Sequence, residues 1–98
     1  MDAMENTTMP KRFDSLGDTI NEMMSSDYRA RFVAEYHQTK IRYEKLKKLC
    51  NRIDAARITG QKEPNHDCPT ALLKEQQQVM GDYLHVLEVR AEIENIEL

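Results

Sequence analysis

Between Phe32 and Ile53 the residues Phe32, Tyr36, Thr39, Tyr43, Leu46, Cys50 and Ile53 recur in alternating steps of four and three. At ~100° of turn per residue, only an α-helix brings such a row onto one face. The row therefore predicts a long amphipathic helix. Ser25, Ser26 and Asp27 precede it, and their side-chain oxygens can accept from the free amides of a first turn. Gly60 follows it as a left-handed terminator, so the helix is expected over 27–59 and is ~45 Å long at the standard rise.

A second row, Leu73, Gln76, Met80, Tyr83, Leu87, Arg90 and Glu94, has the same spacing and is widened by Leu72, Val79 and Val86. It predicts a helix over 69–97 with Pro69 in the first turn, where the missing amide hydrogen costs nothing. Residues 60–68 hold Gly60, Pro64, Asn65 and Asp67 and read as the connecting loop. Upstream, Leu16, Ile20, Met23 and Met24 follow Phe13 at helical spacing and predict a short helix over 14–25, weakened by Gly17. Residues 1–12 are polar, include Pro10, and read as a flexible arm.

The expected fold is all-α, an antiparallel helical hairpin of two long helices with a short N-terminal helix across it, in one domain spanning 1–98. A chain of 98 residues buries only a modest share of its surface. Its core is therefore thin, or is completed by other copies in a homo-oligomer.

Composition excludes several classes. With 40% apolar and 32% charged residues, three Gly, three Pro and no Trp, the chain suits a helical globular protein better than a disordered one. No apolar run reaches the ~18 residues of a membrane span, and no secretory h-region is present. The expected setting is the cytoplasm, where Cys50 and Cys68 are small hydrophobes rather than a disulfide. His66 and Cys68 lie close together, with Cys50 ending the long row. A structural zinc site would still need His37 or His85 as a distant fourth ligand, so no metal and no cofactor is expected. No Gly-rich phosphate loop and no activated nucleophile is present, and the chain reads as a binding protein rather than an enzyme.

The net charge of −3 conceals a segregation. From Tyr28 to Arg57 nine Lys or Arg stand against three acids, a balance of +6, whereas residues 71–98 balance at −4. A basic helix pairing with an acidic one accounts for this, and so does an anion-binding surface. Along one margin of the long helix Tyr36 and Tyr43 alternate with Arg29, Lys40 and Lys47, with Tyr36–Lys40 and Tyr43–Lys47 one turn apart. Rings offer stacking faces and the cations neutralise phosphate oxygens, which suits a ligand carrying a flat base and a phosphate. Tyrosines at a core border also bury the ring and keep the hydroxyl wet, beside a solvated lysine face. Arg90 sits in the second apolar row and needs a partner: Glu35 or Glu44 across the hairpin, a carboxylate of another subunit, or a phosphate. Lys45, Lys48 and Arg52 point elsewhere and raise nucleic-acid binding as a third reading, opposed by the acidic total.

The run Asp27-Tyr28-Arg29-Ala30-Arg31-Phe32-Val33-Ala34-Glu35-Tyr36, continuing to Lys45-Leu46, resembles the first long helix of a family of small helical-hairpin proteins from tailed bacteriophages. Leu72-Leu73-Lys74-Glu75-Gln76, then Met80, Tyr83, Leu87 and Arg90, resembles that family's second helix. The architecture is also similar to the phage sponges that defeat CBASS and Thoeris defence by holding cyclic nucleotide signals between subunits. Those sponges use a Tyr-Arg pair early in the long helix, matched by Tyr28-Arg29, and a lysine farther along. The position fifteen residues after Tyr28 is Tyr43, so Lys40 or Lys47 takes the lysine's place. The resemblance implies an anti-defence protein that sequesters a cyclic oligonucleotide or ADP-ribose type of signal without cleaving it. Tyr28, Arg29, Tyr36, Lys40, Tyr43, Lys47 and Arg90 would be the ligand-binding residues. The alternative is a helical inhibitor or adaptor, similar in kind to an anti-CRISPR, docking on a host protein.

Overall fold

A computed structural model describes residues 11–98, and the arm expected over 1–12 lies outside that range except for Lys11 and Arg12. The described residues are all-helical. A 3-10 turn over Leu16–Thr19 runs directly into a single α turn, α1, over Ile20–Met23. The long helix α2 covers Tyr28–Thr59, and α3 covers Thr70–Glu94 and packs antiparallel on it. The molecule measures 59 × 27 × 22 Å, its long dimension following α2.

The boundaries have local causes. The Asp18 carboxylate accepts from the amides of Asp14 and Ser15, and these bonds hold its pKa below the usual range. They tighten the entry into a 3-10 turn, so the short helix starts at Leu16 rather than at residue 14. Of the three N-cap candidates for α2, Asp27 is the cap, accepting from the Arg29 amide at 3.0 Å. Gly60 ends α2 at φ 72°, where a side chain would be strained. Pro69 stands just ahead of the first turn of α3, and the helix begins at Thr70. At the other end α3 stops at Glu94, because Asn95 turns left-handed (φ 55°) and lets the Ile96 amide donate to the Ala91 carbonyl at 2.9 Å. That reversal tucks the Ile96 side chain under the core, which residues continuing helically to 97 could not do.

The core is thin and lies along the seam of the hairpin. Phe32, Tyr36, Leu84, Leu87, Ala91 and Ile96 form one cluster, with Val33 and Tyr43 packed on it; Cys50, Ile53 and Ala56 are buried farther along α2. The α2 row thus meets α3 with the residues its spacing selects, Thr39, Tyr43 and Leu46 being only partly covered. On α3 the buried face differs from the expected one. Leu84 and Ala91 join Leu87 inside, whereas Gln76, Tyr83 and Arg90 are exposed, as are Leu72, Val79 and Val86. The helices come close at Gly81, where an added Cβ would lie 3.3 Å from the Tyr43 ring, a tight contact that the ring would have to yield to.

The 3-10 turn and α1 lie against α2 through Thr19, which is fully buried. Its hydroxyl donates to the Leu16 carbonyl at 2.7 Å and accepts from Gln38 Nε2 at 2.8 Å. Lys11 Nζ reaches Glu22 at 2.8 Å and ties the chain ahead of the turn to α1. Between the long helices, Arg57 bridges Glu63 at 2.8 Å and Thr70 Oγ1 at 2.9 Å, while His66 bonds Glu63 and the Cys68 carbonyl. The two bonds raise the His66 pKa, the carbonyl contributing most. Cys50 is buried and Cys68 exposed, and both are free thiols. Among the described residues no three His, Cys, Asp or Glu side chains gather as a metal site, and no helix is long and apolar enough to cross a membrane.

Candidate functional site

The structure divides the seven candidate residues into two groups and leaves one apart. The first group stands where the N-terminus of α2 meets the C-terminus of α3. The Tyr28 hydroxyl donates to Glu94 Oε1 at 2.8 Å and accepts from the Arg90 guanidinium, and Arg90 Nε lies 3.1 Å from Glu94 Oε2. Arg90 also covers the Phe32 ring at 4.9 Å, and Arg29 donates to the Asn95 carbonyl. Arg90 therefore finds its carboxylate one turn along its own helix, rather than across the hairpin on Glu35 or Glu44. Glu35 is taken by the Tyr83 hydroxyl. Tyr28, Arg29, Arg90 and Glu94 each have a partner within the chain, and the cluster acts as a clasp holding the two helix ends together. The Glu94 bond raises the Tyr28 pKa and keeps the phenol neutral.

The second group lies at mid-hairpin. Tyr36 is buried and donates to Glu88 Oε2 at 2.6 Å; burial, then that bond, push its pKa up to about 12. Lys40 Nζ stands 5.9 Å from the centroid of the Tyr36 ring, and the Tyr43 ring lies on Gly81. Together with Leu84, His85 and Glu88 these residues line a cleft of about 230 Å³. Its lining joins tyrosine rings and Leu84 to side chains of both signs, Lys40 against Glu44 and Glu88. Lys47, one turn past Tyr43, is exposed and stands outside the lining of this cleft.

Lys40 and Glu44 are also a wall of a larger cleft, of about 380 Å³, on the other side of α2. Phe13 stacks on His37 there, with centroids 4.3 Å apart and planes 15° from parallel. His37 in turn meets the Tyr36 ring edge-on at 5.1 Å. Three rings thus run in succession, Phe13–His37–Tyr36, with Lys11 5.2 Å from the first and Lys40 beside the last. Lys45 and Lys48 line the same cleft. His37 Nε2 is buried with no hydrogen-bond partner, and burial, aided by Lys40, lowers its pKa so that the ring is neutral.

Sequence spacing finds the Tyr36–Lys40 neighbours, because they are one turn apart on one helix. It misses Phe13 and His37, which the short 3-10 segment brings together across 24 positions. The one signal was a polar ring beside Tyr36 on the face turned away from α3.

A two-helix hairpin with a short helical brace carries cations among stacked rings, an arrangement that suits binding. The Sequestin family model matches residues 26–93, which take in α2, the loop and nearly all of α3, and the chain belongs to the Sequestin family. Comparison with curated proteins and with solved structures gives no match. The family's name speaks of sequestering, which is an act of binding.

Proposed function

We propose that this protein is a phage-encoded anti-defence factor that binds a nucleotide-derived immune signal, of cyclic oligonucleotide or ADP-ribose type, and withholds it without cleaving it. The observation carrying this reading is the succession of rings and lysines around Lys40, with a cleft on each side of it. A purine has stacking surface at Phe13–His37 on one side and at Tyr43 on the other. Lys40, Lys45 and Lys48 are placed to neutralise phosphate, and Lys47 extends the charge along the helix. Membership of a family named for sequestering supports the same reading. Tyr28, Arg29 and Arg90 enter it as the clasp that fixes the groove's end, reaching phosphate only where their internal bonds are exchanged for it.

Neutral His37 suits the role, since an uncharged ring stacks on a base without adding a proton-dependent charge near neutral pH. Withholding needs slow release more than fast capture. The test is calorimetry of the full chain against a panel of cyclic di- and trinucleotides and ADP-ribose derivatives, followed by chromatography of the ligand after denaturing the complex. Tight binding with the ligand recovered intact is expected. Silence across the panel, or a recovered ligand of altered mass, overturns the reading.

A further inference from the structure

The face of α3 turned away from α2 is an unpartnered apolar seam. Leu72, Val79, Val86 and Ile93 recur every seven residues along it and are 54%, 59%, 51% and 74% exposed. Tyr83 and Val89 add to it. The period of seven is the repeat with which one helix lies along another over several turns, so the missing neighbour is itself a helix. Four branched aliphatic residues in one row, each more than half exposed, are the kind of apolar surface that marks an interaction site.

We infer that this seam is where a second copy of the chain docks, with the two α3 helices antiparallel about a twofold axis. The sequence along the seam is self-complementary in that arrangement. Leu72 and Ile93, Val79 and Val86, and Glu75 and Arg90 are each symmetric about the point between Asp82 and Tyr83. The axis therefore sets aliphatic against aliphatic and brings Glu75 of one copy to Arg90 of the other. A parallel pair would instead set Arg90 against Arg90. Arg90 is already aligned along this edge by Glu94 and Tyr28, and Tyr83 by Glu35, so neither side chain needs to reorganise to meet the second copy. A twofold interface using one patch twice is the commonest closed arrangement. Both ring-and-lysine clefts include residues of α2 turned away from this seam, and they remain open when it is covered.

The inference goes beyond the ligand reading and is tested without ligand. Sedimentation of the full chain over a concentration series is expected to give the mass of a dimer, or of an assembly of dimers. The pair Val79→Glu and Val86→Glu is expected to give a monomer with unchanged far-ultraviolet circular dichroism. Should that pair fail to fold, charge variants decide: Glu75→Arg weakens the dimer, and adding Arg90→Glu restores it. A wild-type monomer at about 100 μM, well above the working range of a specific interface, overturns the inference. So does a dimer indifferent to the Val79 and Val86 substitutions, or a wild-type chain that stays monomeric while a different protein covers the seam.

Discussion

The clasp at the end of the hairpin and the ridge around Lys40 are made from the same residue types, phenols beside cations, and they behave in opposite ways. At the clasp, Tyr28, Arg90 and Glu94 satisfy one another, and Arg29 is spent on a backbone carbonyl. At the ridge, Lys40 stands over the Tyr36 ring and has no carboxylate within ion-pair distance among the described residues, and Lys45 and Lys48 border the same cleft. What separates the two is whether the cations have been matched from within. The residues alone do not tell the two apart.

The largest expected effect breaks the clasp from beneath. Phe32→Ala removes the ring that Arg90 covers and opens a buried cavity, and it should cost about 3–5 kcal/mol of stability in urea denaturation. A loss under ~1 kcal/mol would mean that the end of the hairpin is loosely packed. Next comes the ridge. Lys40→Glu should weaken the proposed nucleotide binding by about 10- to 100-fold while leaving the melting temperature near that of the wild type, since the bond proposed to phosphate would be lost while no ion pair of Lys40 among the described residues would be. An equal fall in stability would show that Lys40 is structural after all.

The hydroxyls sharpen the contrast. Tyr36→Phe removes a bond from a buried ring and should cost about 1 kcal/mol. Tyr28→Phe acts on an exposed group and should be hard to resolve from wild type in the same assay.

The smallest effect is in pH and runs in opposite directions for two histidines. His66 has a raised pKa, so its contribution is fully present below the unfolded value of about 6.5 and is lost as pH rises through its folded value. His37 has a lowered pKa, so its contribution is complete above about 6.5 and is lost as pH falls toward its folded value. His66→Gln should therefore lower the melting temperature more at pH 6 than at pH 8. A larger effect at pH 8 would reverse the assignment.

Much of the hairpin was legible in the sequence because each decision was local. The four-and-three row of α2, the Asp27 cap and the Gly60 terminator each act within one or two turns. The face of α3 was not legible in the same way. Of its expected row, Leu73, Met80 and Leu87 do turn inward, Leu73 and Met80 only partly covered, while Gln76, Tyr83 and Arg90 fall outside. Leu84 and Ala91 take the inner positions beside Leu87, next to the close approach of Gly81 to the Tyr43 ring of another helix. The site divides along the same line. Tyr36 and Lys40 share a helix face and were found; the partners of Arg90 include Tyr28, which is 62 positions away. Phe13 and His37 meet only because Thr19 and Gln38 fix the N-terminal brace against α2.

The two cysteines, one buried in the seam and one exposed at the loop, equip the chain with a single natural attachment point for a thiol-reactive dye. Cys68 lies just ahead of α3, away from both ring-lined clefts, so a fluorophore there leaves them clear. In two copies paired antiparallel along α3 the dyes would stand on the order of 40 Å apart, and in a parallel pair they would nearly touch. Energy transfer between dye-labelled wild-type chains thus measures how copies are oriented, with no engineered residue.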